Sequence, residues 1–126
     1  MTIVYLPAEE EDAQGTKKLV EDAGRQCHLF PGDLRSRDFC KNAIDKHVER
    51  YVSHLLGQAN GRFGTINVLV NNASQQFMCP DLKEIDLDQV EDVFQTNIVQ
   101  MFALTKFALP HMKKGDSYIS PYILPS

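Results

Sequence analysis

Small and polar residues follow two predicted strands at the points where those strands end. Asp33 comes shortly after a strand ending at Phe30, and Asn71-Asn72-Ala73-Ser74 follows a strand ending at Val70. The Asp33 carboxylate can accept a hydrogen bond from an exocyclic amine, and the small Ala73 and Ser74 would let the backbone approach a flat ligand. These residue types suit a nucleotide better than a catalytic metal. A turn in which Asp33 accepts from its own backbone is the alternative that the residues leave open.

A phosphate cradle and a metal centre are not expected. The sequence contains neither G-x-G-x-x-G nor G-x-x-x-x-G-K-[ST], so the usual glycine-rich turn for a pyrophosphate is missing. Cys40, His47 and His54 recur at seven-residue intervals, but zinc ligands are usually spaced more closely, so we expect no metal site. The cysteine count of 3 is odd and includes no C-x-x-C pair, which predicts reduced thiols.

The predicted elements place these residues on one edge of a sheet. Short apolar runs predict strands, and apolar positions at helical spacing predict helices between and after them. The strands are expected at Thr2–Leu6, Gln26–Phe30 and Ile66–Val70, and the helices at 7–23 before Gly24, from Ser36 to Leu56, and at 88–112 from a capping-box-like Asp88 and Glu91. This alternation predicts a parallel sheet with helices on its faces, in which ligands bind at the carboxyl ends of the strands.

Composition indicates one globular domain. The chain has 126 residues, 43% hydrophobic and 24% charged, with a formal net charge of −4, which is typical of a single folded unit. An acidic chain without basic clusters is not expected to bind nucleic acid. No apolar run approaches the roughly 18 residues of a membrane span, and no signal-peptide pattern is visible. We therefore expect no membrane partner and a cytoplasmic location.

Several motifs resemble a known family. Leu34 after Gly32-Asp33, the stretch Phe-Gly-Thr-Ile-Asn-Val-Leu-Val-Asn-Asn-Ala-Ser at 63–74, and Thr96-Asn97 resemble the central part of the short-chain dehydrogenases/reductases. Residues 5–13 and 71–76 are similar to its general-stress and glucose-dehydrogenase-like members. The resemblance implies a partial Rossmann-type, doubly wound parallel sheet. It also implies hydride transfer between NAD or NADP and an alcohol or carbonyl substrate.

The resemblance also implies roles for individual residues. Asp33 would meet the adenine amine and Leu34 would contact the adenine ring through its backbone, while Asn71, Asn72 and Ala73 would line the adenosine ribose. Asn97 would be the asparagine of the catalytic tetrad, whose backbone holds a water of the proton relay. Without that context, Asn97 is an ordinary polar residue of a helix. The helix 88–112 would pair with its twin in a homo-oligomer.

Departures from the family pattern alter the functional prediction. The first strand with its glycine-rich turn, the catalytic serine and the Y-x-x-x-K pair are not found in this sequence; no lysine follows Lys114. We therefore expect an inactive central fragment of an oxidoreductase that binds NAD(P) poorly. The alternative is a non-catalytic module that pairs with partners through the helix 88–112. Glu9 and Glu10 lie near the position that selects NAD or NADP without clearly occupying it, so that choice stays open.

Two segments depart from the pattern within a single domain spanning 1–126. Residues 51–62 form an atypical insert between Arg50 and Phe63, and residues 118–126 form an off-family tail. In the doubly wound strand order, the missing first strand would lie between the strands at Thr2–Leu6 and Ile66–Val70. We therefore expect two half-sheets that share no hydrogen-bonded ladder.

Overall fold

The amino-terminal part of the chain is a parallel β-α-β unit. The structure, a computed structural model, describes residues 1–55 and 66–120. Strand β1 (Thr2–Tyr5) pairs in parallel with β2 (His28–Pro31), with Thr2 opposite His28. The predicted second strand began two residues earlier, at Gln26. Strand β1 consists of β-branched and aromatic side chains, which favour the extended conformation, whereas β2 contributes only Phe30 of these types.

Helix α1 (Glu10–Asp22) connects these strands and has the expected end signals. A single 3₁₀ turn at Pro7–Glu9 precedes it, and the Glu9 carboxylate accepts the backbone N–H of Leu6 at 3.1 Å. Gly24 follows with a φ of +74°, a left-handed conformation that glycine adopts without strain. The predicted stop at Gly24 is confirmed.

Helix α2 (Arg37–Leu55) begins at the predicted cap. The Ser36 hydroxyl oxygen accepts the backbone N–H of Phe39 at 3.2 Å, which satisfies one of the free amides of the first turn. The helix continues to Leu55, so the first residues of the insert at 51–62 extend it. The remainder of that insert, from residue 56, lies outside the described residues.

The second sheet contains a strand that the sequence did not predict. Strand β3 (Val68–Val70) is shorter than the predicted Ile66–Val70 and pairs in parallel with β4 (Ser117–Ile119). The sequence analysis assigned 118–126 to an off-family tail without any element. Tyr118 and Ile119 are strand residues, because the Ser117 N–H donates to the Asn67 carbonyl at 2.8 Å and Asn71 N–H to the Ile119 carbonyl at 2.9 Å. Residues 121–126 lie outside the described part.

The predicted long helix 88–112 is interrupted. It consists of α3 (Leu87–Phe94), a π-helical turn at Gln95–Val99 and α4 (Gln100–Ala108), followed by a 3₁₀ turn at Leu109–His111. The predicted start was also wrong. Asp86 caps the helix by accepting the Asp88 N–H at 2.9 Å, which satisfies one of the free amides of the first turn.

The core lies between α2, α4 and the start of the second sheet. Its buried members are Cys40, Ile44, Ile66, Leu104 and Ala108, with Leu34 and Leu69 packed against them. Since α2 follows the first sheet and α4 precedes β4, this cluster joins the two halves of the molecule. The core is therefore made by helices rather than by a continuous sheet.

Among the described residues, β1 pairs with β2 and β3 with β4, and no ladder joins the two sheets. This agrees with the two half-sheets expected from the sequence. Val68 and Val70 are 54% and 52% exposed, although strands inside a parallel sheet are normally buried on both faces. No helix in the described ranges is long and apolar enough to cross a bilayer.

Candidate functional site

Asp33 lies two residues beyond β2, where Arg35 bonds both oxygens of its carboxylate. The guanidinium Nε donates to Oδ1 at 3.1 Å and to Oδ2 at 2.9 Å, and Nη2 donates to Oδ2 at 2.7 Å. The Arg35 backbone N–H also donates to Oδ1 at 2.9 Å. The last contact is the turn that the sequence left open as the alternative for Asp33. These contacts lower the pKa of Asp33, with the Arg35 side chain as the largest cause.

Arg35 connects this loop to the interrupted helix. Its Nη1 lies 2.9 Å from the Asp92 carboxylate on α3. Its carbonyl oxygen accepts the Gln95 side-chain amide at 3.1 Å. The two carboxylates raise the pKa of Arg35, first because Asp33 accepts hydrogen bonds from the guanidinium and then because Asp92 does so. A loop of the first sheet is thus tied to the π-helical turn.

Leu34 contributes to the core as well as to the loop. Its side chain is half-buried against the core cluster. Its carbonyl accepts the Cys40 thiol at 3.0 Å. Leu34 therefore keeps the backbone beside Asp33 close to the start of α2.

Asn71 occupies the end of β3 and is buried, with 3% of its surface exposed. Its Nδ2 donates to the Thr105 hydroxyl on α4 at 3.4 Å, and its Oδ1 has no hydrogen-bond partner. Asn72 and Ala73 follow it in extended, exposed chain. A buried acceptor without a partner is costly unless another group satisfies it, so Asn71 has capacity for one further donor.

Asn97 lies in the π-helical turn and holds the chain that follows β3. Its Oδ1 accepts the Gln75 backbone N–H at 2.7 Å, and its Nδ2 donates to the Gln75 carbonyl at 2.9 Å. The neighbouring Thr96 hydroxyl bonds the Gln75 side-chain oxygen at 3.2 Å. The side chain of Asn97 is thus used in positioning. π-Helical turns within α-helices are frequent at functional sites.

Tyr118 on β4 belongs to the same neighbourhood and was not recognised in the sequence. Hydrogen bonding with Thr105 is the largest cause of its lowered pKa, with further contributions from Asn71 and Ser120. Burial opposes this effect. A polar cluster therefore lies where β3 and β4 end beside α4.

Two sets of contacts connect the predicted site residues. One runs from Asp33 through Arg35 to Asp92 and Gln95, and the other joins Asn97 to Gln75, four residues after Asn71. The structure brings Asn97 and the 71–75 segment together, but it engages the Asp33 carboxylate internally. Sequence reasoning missed Arg35, Gln75 and Gln95. Only Arg35 had a local signal, since a cation two residues after Asp33 can reach back to it.

The fold and the family follow from comparison with known proteins. Parallel β-α-β units with polar groups beyond the carboxyl ends of the strands define a Rossmann-type fold. The family model described as short chain dehydrogenase matches residues 1–117. The chain therefore belongs to the short-chain dehydrogenase/reductase family, and the resemblance of its motifs is confirmed.

Curated relatives are longer than this chain. Uncharacterized oxidoreductase YhxC of Bacillus subtilis is 42% identical over 95% of this chain and 38% of its own length. General stress protein 39 of the same species is 35% identical over 98% of this chain and 40% of its own length. NADPH-dependent aldehyde reductase 1 of Arabidopsis thaliana is 36% identical over 89% of this chain and 36% of its own length. The chain thus spans about two fifths of the length of these relatives.

Solved structures show the same partial coverage. A dehydrogenase/reductase from Sinorhizobium meliloti matches with a TM-score of 0.77 at 26% identity, over 94% of this chain and 42% of that one. A short chain dehydrogenase from Burkholderia cenocepacia was solved in complex with NADP. It matches with a TM-score of 0.74 at 24% identity, over 94% of this chain and 43% of that one. The partial doubly wound fold predicted from the sequence is confirmed.

Proposed function

We propose that this chain is part of an NAD(P)-dependent short-chain oxidoreductase that acts on an alcohol or carbonyl substrate. Residues 1–126 would form a single partial cofactor-binding domain, interrupted by the insert at 51–62 and ending in the tail 118–126. The chain would contribute the adenosine end of the cofactor site and the asparagine of the proton relay. The observation that carries this proposal is that Asp33 and Asn71 follow the carboxyl ends of β2 and β3, while Asn97 is bonded to Gln75 in the segment after β3.

The proposed adenosine contacts rest on position and on hydrogen-bonding capacity. Asp33 and Leu34 follow β2, and Asn71, Asn72 and Ala73 follow β3, at the edge where such sheets bind ligands. The unpartnered Oδ1 of Asn71 fits a ribose hydroxyl donor. Exposed Asn72 and Ala73 leave the backbone accessible to a flat or ring-shaped ligand.

The fit to a whole dinucleotide is incomplete. The sequence provides no glycine-rich turn for a pyrophosphate, and backbone amides at such a turn supply much of the phosphate binding. When bound, the nicotinamide cofactor would donate or accept the hydride. The names of the Arabidopsis relative and the Burkholderia complex favour NADP. Glu9, in the 3₁₀ turn after β1, carries the negative charge that favours NAD. We therefore propose NADP or NAD without assigning one.

Asn97 would orient the proton relay rather than transfer a proton. Its side-chain amide is bonded to both polar groups of the Gln75 backbone, so we assign the relay water to its backbone in the π-helical turn, as the family resemblance implies. The serine and the tyrosine–lysine pair are not found in this sequence. Asn97 therefore has no general acid or base to which a relay water could pass a proton. We propose that the chain by itself does not turn over NADPH or NADH.

A binding experiment tests the adenosine assignment. Titration of the chain with adenosine, followed by NMR chemical shifts, should give saturable binding that Asp33→Asn weakens by about threefold to tenfold, because one charge-assisted hydrogen bond is lost. Asp22→Asn, an exposed carboxylate at the end of α1, is the matched control. Absence of binding both in the wild-type chain and in a variant without the Arg35 guanidinium, or equal affinity in Asp33→Asn and Asp22→Asn, would refute the assignment. Oxidation of NADPH with an aldehyde, followed at 340 nm, would refute the inactivity.

A non-catalytic pairing module is the second candidate. It is favoured by an exposed apolar stripe along the interrupted helix, formed by Phe94 (59% exposed), Ile98 (43%) and Phe102 (72%). Side chains of this size are seldom exposed together unless they meet a partner. A second copy of the same helix would offer an equally apolar surface and would form a homo-oligomer.

Sedimentation of two charge variants tests this pairing. Phe102→Asp should shift a dimer to monomer, because it places a charge at the most exposed position of the stripe. Leu19→Asp, at a 71% exposed position of α1, should leave the mass unchanged. A wild-type chain that sediments as a monomer at high micromolar concentration would contradict the pairing.

A further inference from the structure

Arg35 occupies both oxygens of the Asp33 carboxylate. An ionised carboxylate offers about four acceptor positions. Arg35 directs three N–H groups at it, the backbone N–H, the Nη2–H and an Nε–H shared between Oδ1 and Oδ2, so each oxygen has two contacts. An exocyclic amine that approaches Asp33 therefore competes with the guanidinium for these oxygens.

The surroundings of Arg35 make that release inexpensive. The side chains of Arg35, Asp33 and Asp92 are 40%, 41% and 46% exposed, and ion pairs at such positions are weak. Asp92 holds Nη1 at 2.9 Å, so the guanidinium keeps a charged partner after leaving Asp33. The Gln95 amide holds the Arg35 carbonyl, which keeps the backbone in place while the side chain moves.

We propose that Arg35 is a positioning residue that gates an adenine amine at Asp33, bonding both Asp33 and Asp92 when the site is empty and keeping only Asp92 when the amine binds. The proposal rests on the proposed adenosine contact at Asp33. It adds that adenine binding is coupled to α3, because the same guanidinium joins the loop after β2 to Asp92. A purely structural staple would instead stabilise the loop without competing with a ligand.

The test compares adenosine with purine riboside, the same nucleoside without the 6-amino group. Both ligands are uncharged, so removal of a cation does not change their affinity through long-range attraction. NMR titrations would be made on the wild-type chain, Arg35→Gln, Asp92→Asn and, as the matched control, Arg37→Gln. Arg37 is an exposed arginine in the first turn of α2.

The gate predicts opposite effects of its two neighbours. Arg35→Gln should tighten adenosine binding by about twofold to fivefold, the range that opening an exposed ion pair represents, and should leave purine riboside unchanged. Asp92→Asn should weaken adenosine binding, because the released guanidinium then has no second carboxylate. Arg37→Gln should change neither. A structural staple predicts no such ligand dependence.

The remaining outcomes separate this proposal from the one on which it rests. Equal adenosine affinity in wild type and Arg35→Gln, together with weaker binding in Asp33→Asn, would overturn the gate and leave the adenosine assignment standing. Failure of both the wild type and Arg35→Gln to bind adenosine would overturn both. Binding by Arg35→Gln alone would support the gate in its strongest form.

Discussion

Asn97 shows how a single side chain can hold two segments together. Its side-chain amide accepts the Gln75 backbone N–H at 2.7 Å and donates to the Gln75 carbonyl at 2.9 Å. These two hydrogen bonds connect the π-helical turn to the chain beyond β3. We expect Asn97→Ala to lower the free energy of unfolding by about 1–3 kcal/mol, because two backbone groups lose their partner. Urea denaturation followed by circular dichroism measures this loss.

The control for this prediction is Gln76→Ala, which removes an exposed amide from the adjacent residue. Its effect should stay within about 0.5 kcal/mol. Asn97→Asp keeps the acceptor but loses the donor, so its effect should be comparable to that of Asn97→Ala or larger, because it places a negative charge beside the Gln75 carbonyl. A loss in Asn97→Ala no greater than that in Gln76→Ala would contradict the positioning role.

The thiols provide a second residue-scale prediction. Burial is the main cause that raises the pKa of Cys40, to about 11, and burial also raises the pKa of Cys27. Cys79 is exposed. Since the thiolate is the reactive form, an aromatic disulfide reagent at pH 8 should modify Cys79 rapidly and the other two only after denaturation. Fast reaction of two or three thiols in the native chain would show that the core is open.

At the scale of elements, β4 completes the second sheet through backbone contacts. The Ser117 N–H donates to the Asn67 carbonyl at 2.8 Å, and a proline has no N–H to donate. Ser117→Pro should therefore destabilise the chain by more than about 1 kcal/mol. Ser117→Ala keeps the N–H and removes only an exposed hydroxyl, so thermal unfolding of the two variants separates the backbone contribution. Equal midpoints would show that β4 contributes little.

The interrupted helix also belongs to the element scale. Side-chain periodicity predicted one helix over 88–112, because Phe94, Ile98, Phe102 and Leu104 follow helical spacing closely on both sides of the interruption. The π-helical turn adds one residue without breaking the apolar pattern enough to be visible. Its position coincides with the bonds from Gln95 to Arg35 and from Asn97 to Gln75, which only the packed chain contains.

For the whole molecule, stability should be unevenly distributed. Helix α1 contributes a single buried residue, Ala13, whereas α2 and α4 supply most of the core cluster. Hydrogen exchange followed by mass spectrometry should therefore show α1 losing protection well before α4, since regions with few buried contacts open first. Simultaneous exchange of α1 and α4 would instead indicate one cooperative unit in which the two half-sheets unfold together.

Much of the candidate site was visible in the residue pattern because its signals are local. Strand-ending segments locate Asp33 and Asn71, and the family motifs add Leu34, Asn72, Ala73 and Asn97. The ion pair between Asp33 and the Arg35 side chain was not predicted from the sequence. The alternative considered there was a turn in which Asp33 accepts only a backbone N–H. The roles of these residues stay proposals that the titrations above address.

The alternation of strands and helices, the cap at Ser36 and the left-handed turn at Gly24 follow from residue types within a few positions of each other, so the chain specifies them by itself. The pairing of β4 with β3, the clamp of Asn97 on Gln75 and the tie from Arg35 to Asp92 join residues that are far apart in sequence. Such contacts depend on how α2 and α4 pack against each other and on which distant segments of the chain this packing brings together. No local periodicity encodes that geometry, so only the tertiary structure decides it.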